Sequence, residues 1–308
     1  MIDPEIQALL AALAESGFAL PEPLAPTTLR GTLDVPIPAP PVAIARTDVV
    51  IDGQCRTLPA RLYHSAPSQV LPVVLFFHGG GWVHGTLDTH DRLAATIAVQ
   101  AQCAVLSVGY RLAPENPFPA AWEDALLSFH WLKENHVRLG VDARYIALAG
   151  DSAGGNLAAA AAQALAGDAS VVHQMLLYPA LDGSCSTRSF GVHHPGFLSP
   201  AQMSWYWEQY AHEMRSDPRA SPAAGSIPQG LAPATIILAG NDPLHDEGAA
   251  YAARLFAAGI PVTLHDYEGA VHGFISLFGL ASIADTALSV ASQALRMAFA
   301  QHSQAAAK

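Results

Sequence analysis

The stretch YIALAGDSAGGNLAAAAAQAL (residues 145–165) decides the reading of this 308-residue chain. An apolar strand-like run, YIALA, gives way within a few residues to a helix-like run, NLAAAAAQAL. Turning from strand to helix so abruptly forces the residue at the turn, Ser152, into strained backbone geometry. Glycines at 150 and 154 let the neighbouring chains close in. The hydroxyl then stands at the C-terminal edge of a sheet, over a helix N-terminus that favours negative charge. Gly-x-Ser-x-Gly is a weak signal alone and a specific one between a buried strand and a helix. The plainer reading makes Ser152 a helix cap.

Outward from this turn the same alternation repeats. Short apolar runs lie at 73–77, 103–110, 145–150, 174–179, 234–240 and 262–267, and stretches with helical spacing lie at 89–101, 120–136, 153–166 and 244–258. Strands that read as continuous apolar runs are buried on both faces, so the pattern predicts an α/β fold: a mostly parallel central sheet with helices on both sides. A hairpin is expected where Asp52-Gly53 separates two β-like runs. Residues 5–15 carry apolar positions at helical spacing, a short amphipathic helix that needs a surface to cover. Seven prolines in 21–41 predict an extended segment. Residues 183–233 break the alternation and read as an insertion, with one or two helices over 199–214. The expectation is a single domain over 1–308, with a helical cap formed by about 1–45 and about 185–225.

Composition narrows the function. With 51% hydrophobic residues and 13% charged, disorder is excluded and a large core is available. Fifteen basic against 26 acidic residues give a formal charge of −11, which argues against nucleic acid and anionic membranes as partners. Cys55, Cys103 and Cys185 form no paired motif, so no metal or disulfide framework is expected, and Cys103 reads as buried filler. No secretory leader or apolar run of about 18 residues is read, so no stable membrane insertion and a cytoplasmic location are expected.

Other loops at the same sheet edge supply what a serine nucleophile needs. VVLFFHGGGW (73–82) is a strand ending in three glycines, whose backbone N–H groups can converge on one point; Gly80, Gly81 and Ala153 are the predicted oxyanion donors. A phosphate loop is the competing reading, but no GKS, GKT or GxGxxG follows. His78 reads as a support for that loop. Serine requires a base. His272 is preferred among 14 histidines because GAVHGF puts it in a loop just after strand 262–267; His245 is the weaker contender and His265 falls within the strand. Asp242, just after strand 234–240, is the orienting acid, while Asp246 and Glu247 read as dipole-favouring residues of the next helix. Trp82, Phe197, Leu198, Met203, Tyr206, Leu244, Val271 and Phe274 are candidates to line a substrate pocket.

HGGGW, YRLAPENPFPA (110–120), GDSAGGN, NDPLHDEG and VHGF, in this order, resemble the hormone-sensitive-lipase family of esterases, the bacterial family IV group, over roughly residues 70–280. The order Ser152, Asp242, His272 is that of α/β-hydrolases. The resemblance implies an α/β-hydrolase fold with a cap, hydrolysis of short- to medium-chain carboxylic esters through an acyl-serine, and no cofactor or metal. It also implies small-molecule esters as partners, and a homodimer through the last strand and helix. Within YRLAPE, Arg111 and Glu115 are expected in buried polar contacts, joined by Asp124. Acyl transfer or amide hydrolysis would use the same triad. Receptors of this family that lack the catalytic histidine give a non-catalytic alternative, against which His272 stands.

Overall fold

A computed structural model describes residues 1–19, 24–35, 42–53, 55–192 and 195–306. The predicted hairpin is β1 (Ala45–Asp52) and β2 (Thr57–His64), antiparallel with Ala45 opposite His64 and Asp52 opposite Thr57. Then follow β3 (Leu71–Phe77), β4 (Ala104–Val108), β5 (Val141–Asp151), β6 (Val171–Leu177), β7 (Ala234–Asn241) and β8 (Val262–Val271). They form one sheet in the order β1-β2-β4-β3-β5-β6-β7-β8; β2 runs antiparallel to both neighbours and every later pairing is parallel. β4 and β6 are buried at every position, as uninterrupted apolar strands require.

Side chains alternate across the strands and so feed two apolar layers. Val74, Phe76, Met175, Leu177 and Ile237 pack with α3 (Asp91–Ala101) and α8 (Ser282–Ala306) on one face. Val73, Leu75, Phe77, Leu176 and Ile236 pack with α4 (Ala120–Leu139), α5 (Ala153–Ala164) and α7 (His245–Ala257) on the other. Each crossover helix follows its strand through a loop at the C-terminal edge of the parallel strands, which is where such sheets build their sites.

The expected amphipathic helix is α1 (Pro4–Glu15), started by Asp3, whose carboxylate accepts from the amides of Glu5 at 2.9 Å and Ile6 at 3.3 Å. Ile6 is fully buried. The extended path expected over 21–41 is corrected over 24–35, where α2 (Pro26–Leu33) forms; residues 20–23 and 36–41 lie outside the described residues. Proline suits the first helical position, where no N–H is needed, and Pro26 sits there with nine proline-free residues after it. In the insertion, α6 (Pro200–Tyr210) opens with a capping box: the Ser199 hydroxyl accepts from the Gln202 amide while the Gln202 side chain accepts from the Ser199 amide. Short 3-10 turns at Arg188–Gly191 and His212–Met214 flank it.

Candidate active site

Between β5 and α5, Ser152 adopts φ 54° and ψ −118°, a conformation that costs a non-glycine residue about 1–3 kcal/mol. Its amide donates to the Leu177 carbonyl at 2.8 Å, which ties the turn to β6. The flanking glycines are needed for contact: a Cβ on Gly154 would fall on the Phe77 carbonyl, and one on Gly150 would meet the Gly154 backbone. The strain inferred from sequence at this turn is present.

Two other post-strand loops bring partners to the hydroxyl. His272 follows β8, and its Nε2 lies 2.9 Å from Ser152 Oγ. Asp242 follows β7, and its Oδ2 lies 2.7 Å from His272 Nδ1, while its Oδ1 accepts from the Leu244 amide at 2.9 Å. Asp242 is enclosed at 1% exposure, whereas Ser152 and His272 keep 8% and 9%; the acid is hidden and the reacting end opens on a cavity. Tyr178, held at φ 36° after β6, sets its ring edge-on to His272 at 5.1 Å. The competing histidine, His245, is instead bridged to Asp246 and Asp266 at 3.0 and 2.9 Å.

The glycine loop after β3 lies at the same edge. Val83 and His84 both donate to the Gly80 carbonyl at 3.0 Å, closing a tight turn with Gly80 at φ 116° and Gly81 at φ 57°. Among the described residues, the amides of Gly80, Gly81 and Ala153 donate to no protein acceptor, whereas that of Gly79 donates to Asp151 Oδ1 at 2.9 Å. Ala153 is the first residue of α5, so its free amide is one of the orphans every helix start leaves. His78 supports the loop as expected: stacked on Tyr110 at 4.4 Å, it hydrogen-bonds the Gly79 carbonyl at 2.7 Å. Burial, with His90 nearby, pushes it down to about 3, so it stays neutral.

Asp151, unremarked in the sequence reading, is a further brace. Burial alone would raise its carboxyl, but His90 and the Gly79 amide hold it below the usual carboxylate range. A buried anion thus fixes the root of the glycine loop. Its signal in the sequence was its position, one residue before Ser152.

Gly80, Gly81, Ser152 and His272 open on a cavity of about 1000 Å³. Of the predicted lining residues, Phe197, Leu198, Met203 and Tyr206 line it. Trp82, Leu244, Val271 and Phe274 do not, and each has a packing reason. Trp82 stacks on Tyr210 at 4.3 Å and against Trp207; Phe274 packs on Tyr178 and Tyr267; Leu244 and Val271 are enclosed in the two apolar layers. The stretch 1–45, expected as cap, lines it too, through Leu10 and Leu13 of α1, Phe18 just after it, Leu33 of α2 and Val35 just after that, residues not singled out in the sequence.

YRLAPE is partly as expected. Arg111 grips buried Asp124 with Nε and Nη2, each at 2.9 Å. The expectation for Glu115 is corrected: its side chain is 55% exposed and pairs with Arg30 of α2 at 2.7 Å. Cys103 is buried, and burial pushes its thiol well up. Glu247 is also not the helix-dipole charge expected. It is buried in the first turn of α7, accepts from the Leu181 amide at 2.6 Å, and burial raises its carboxyl far above the ordinary range, so it is neutral. Among the described residues, no group of three or more His, Cys, Asp or Glu could hold a metal ion, and no helix is long and apolar enough to cross a membrane.

Comparison with known proteins identifies the family. Residues 74–276 match the sequence profile of the α/β hydrolase fold family. The chain belongs to the α/β-hydrolase family, of the hormone-sensitive-lipase type. This α/β-hydrolase is 39% identical over 295 residues to the carboxylic ester hydrolase LipN of Mycobacterium tuberculosis, covering 91% of the chain and 78% of the relative. It is 41% identical over 249 residues to the ethyl acetate hydrolase of Pseudomonas putida, 78% of each chain. Its fold superposes on a hyperthermophilic esterase from the archaeon Pyrobaculum calidifontis with a TM-score of 0.89 at 33% identity, over 96% of this chain and 98% of the other. The mostly parallel sheet expected from the alternating runs, here of eight strands, and the family expected from the motifs at 70–280 are both borne out.

Proposed function

We infer that the protein is a serine carboxylesterase acting on small carboxylic esters, with Ser152 as nucleophile, His272 as base and acid, and Asp242 as orienting carboxylate. The observation that carries this is the unbroken chain Asp242 Oδ2–His272 Nδ1 at 2.7 Å and His272 Nε2–Ser152 Oγ at 2.9 Å, at the wall of an apolar cavity. Asp242 accepts a hydrogen bond from Nδ1–H, which keeps the proton on Nδ1 and leaves Nε2 as the acceptor facing the hydroxyl. Ser152 attacks the ester carbonyl as His272 removes its proton. The oxyanion is held by the amides of Gly80, Gly81 and Ala153; each such donor contributes about 2.7–4 kcal/mol to lowering a barrier of this kind. The alcohol leaves with the proton from His272, and water then opens the acyl-serine by the same roles reversed.

The lining favours a neutral acyl group: Leu10, Leu13, Leu33, Phe197 and Met203 are apolar. On this reading about 1–45 and about 185–225 act as a cap over a single 1–308 domain, since both stretches contribute to the cavity wall. A cytoplasmic homodimer through β8 and α8 belongs to the same proposal; β8 is an edge strand and Leu264 on it is 42% exposed. Light scattering that gives the mass of one chain would remove the dimer.

The test is a series of nitrophenyl esters from acetate to palmitate, with a serine-directed phosphonate. Turnover confined to short and medium acyl chains, with a phosphonate adduct on Ser152, is expected. Ser152→Ala should lose about 10⁴-fold or more of kcat at an intact fold; a variant that still turns over these esters at a comparable rate would remove Ser152 from the mechanism. An added alcohol that diverts most product to the transesterified ester would favour acyl transfer instead.

A further inference from the structure

We propose that Tyr206 is a positioning residue for the oxyanion loop, acting through a hydrogen-bonded bridge to His84. The inference rests on the ester-hydrolase reading above and concerns a contact that the triad does not need. Tyr206 projects from α6, and its Oη lies 3.0 Å from His84 Nε2. Its ring lies against Gly81 so closely that a Cβ on Gly81 would fall on the ring. One face of the Gly81 peptide is therefore walled by an aromatic ring, and that ring is held by its own hydroxyl.

The protonation states suit the bridge. Burial foremost, then His90 and Arg30, push His84 down to about 4, so the ring is neutral and has one accepting nitrogen. Burial raises the Tyr206 phenol, which stays protonated and donates. The other nitrogen of His84, Nδ1, lies 3.8 Å from Asp34 Oδ1, and that oxygen accepts the Gly85 amide at 2.6 Å. Asp34 is the C-cap residue of α2. Two of the cavity-lining parts of the chain, the end of α2 and helix α6, thus meet on the loop that carries Gly80 and Gly81. His84 also donates its own amide to the Gly80 carbonyl at 3.0 Å, so a shift of its side chain is transmitted to the turn.

A loosened Gly81 amide matters only when the carbonyl oxygen gains charge. Losing the bridge should therefore reduce kcat and leave substrate binding nearly unchanged. Tyr206→Phe keeps the ring and removes the hydroxyl. It is expected to lower kcat about tenfold, keep KM within about twofold, and leave thermal unfolding where it was. Affinity for a trifluoromethyl ketone analogue of the tetrahedral state should weaken by the same factor as kcat/KM. His84→Leu should give a similar loss, His84→Gln, which retains an acceptor, should recover most of it, and the double variant Tyr206→Phe with His84→Leu should lose no more than either single change. An unchanged kcat in Tyr206→Phe, a loss confined to KM, or fully additive losses would overturn the proposal. Failure of the ester-hydrolase reading would look different: the wild-type protein itself would neither turn over esters nor take the phosphonate on Ser152.

Discussion

Asp242 gives the sharpest test at the level of one side chain, because both its oxygens are committed: one to His272 Nδ1, the other to the Leu244 amide. Asp242→Asn keeps the volume but offers an NH₂ group to one of these donors, so the imidazole is held in the wrong tautomer or released. A fall in kcat of about 10⁴ is expected with little change in unfolding temperature; a variant within tenfold of wild type would remove Asp242 from the triad. Glu247 gives a contrasting test. Because its carboxyl is neutral and accepts from Leu181, Glu247→Gln should fold and unfold almost as the wild type does, while Glu247→Ala leaves the Leu181 amide unpaired and should cost about 1–3 kcal/mol in denaturant titration. The meeting of Ser152, Asp242 and His272 could be read from sequence because each directly follows a core strand, a position fixed by chain order alone. Trp82, Leu244, Val271 and Phe274 were misread for the complementary reason: they adjoin catalytic loops in sequence, but the direction in which a side chain leaves the backbone is set by packing. Trp82 turns into a stack with Tyr210.

Among the elements, α2 was the least legible. Seven prolines fall in 21–41, but they cluster at the two ends and leave 27–35 free, with Pro26 at the first helical position, where no N–H is needed. α1 was legible as a helix and, within 1–45, as part of the cap, though not residue by residue as a cavity wall. Leu10 and Leu13 are half-buried because their partner is the cavity, and no periodicity distinguishes a face that meets core from one that meets a substrate. α2 is docked by Leu29, fully buried in the core, and by Arg30, which donates from Nε to the Val83 carbonyl at 2.8 Å and from Nη2 to the Ala113 carbonyl at 2.9 Å. Arg30→Ala should remove on the order of 2 kcal/mol of docking free energy. With Leu33 and Val35 no longer held against the cavity, KM should rise more than kcat falls, and limited proteolysis should cut faster between residues 20 and 45. Glu115→Gln should do almost nothing by either measure, since the Arg30–Glu115 pair is open to solvent on the carboxylate side. Equal effects of the two changes would mean that the ion pair, and not the two carbonyl contacts, holds the helix.

Across the whole molecule, the buried histidines set how stability responds to acid. Burial pushes His78 down to about 3, and His84 and His173 down to about 4, against an unfolded value of about 6.5. Below pH 6.5 the unfolded chain therefore binds protons that the folded chain refuses, and unfolding becomes easier as pH falls. Glu247 works the other way: its raised carboxyl is protonated when folded and ionised when unfolded down to about pH 4.5, so it gives back about one proton. Among these four groups, uptake by the three histidines on unfolding outweighs release from Glu247 between pH 6 and 4.5, so together they lower stability as pH falls. The enzyme should accordingly lose stability across that interval while its surface carboxylates are still mostly ionised. His173 isolates the effect, since it lies within β6, bonded to Thr235 at 2.9 Å and outside the cavity wall. His173→Asn should flatten the dependence of unfolding free energy on pH by about one proton and leave kcat at pH 8 as it was. Urea titrations at half-unit steps from pH 8 to 4.5 measure this directly, and a wild-type profile flat from 6.5 to 4.5 would mean that these rings find protons in the folded state.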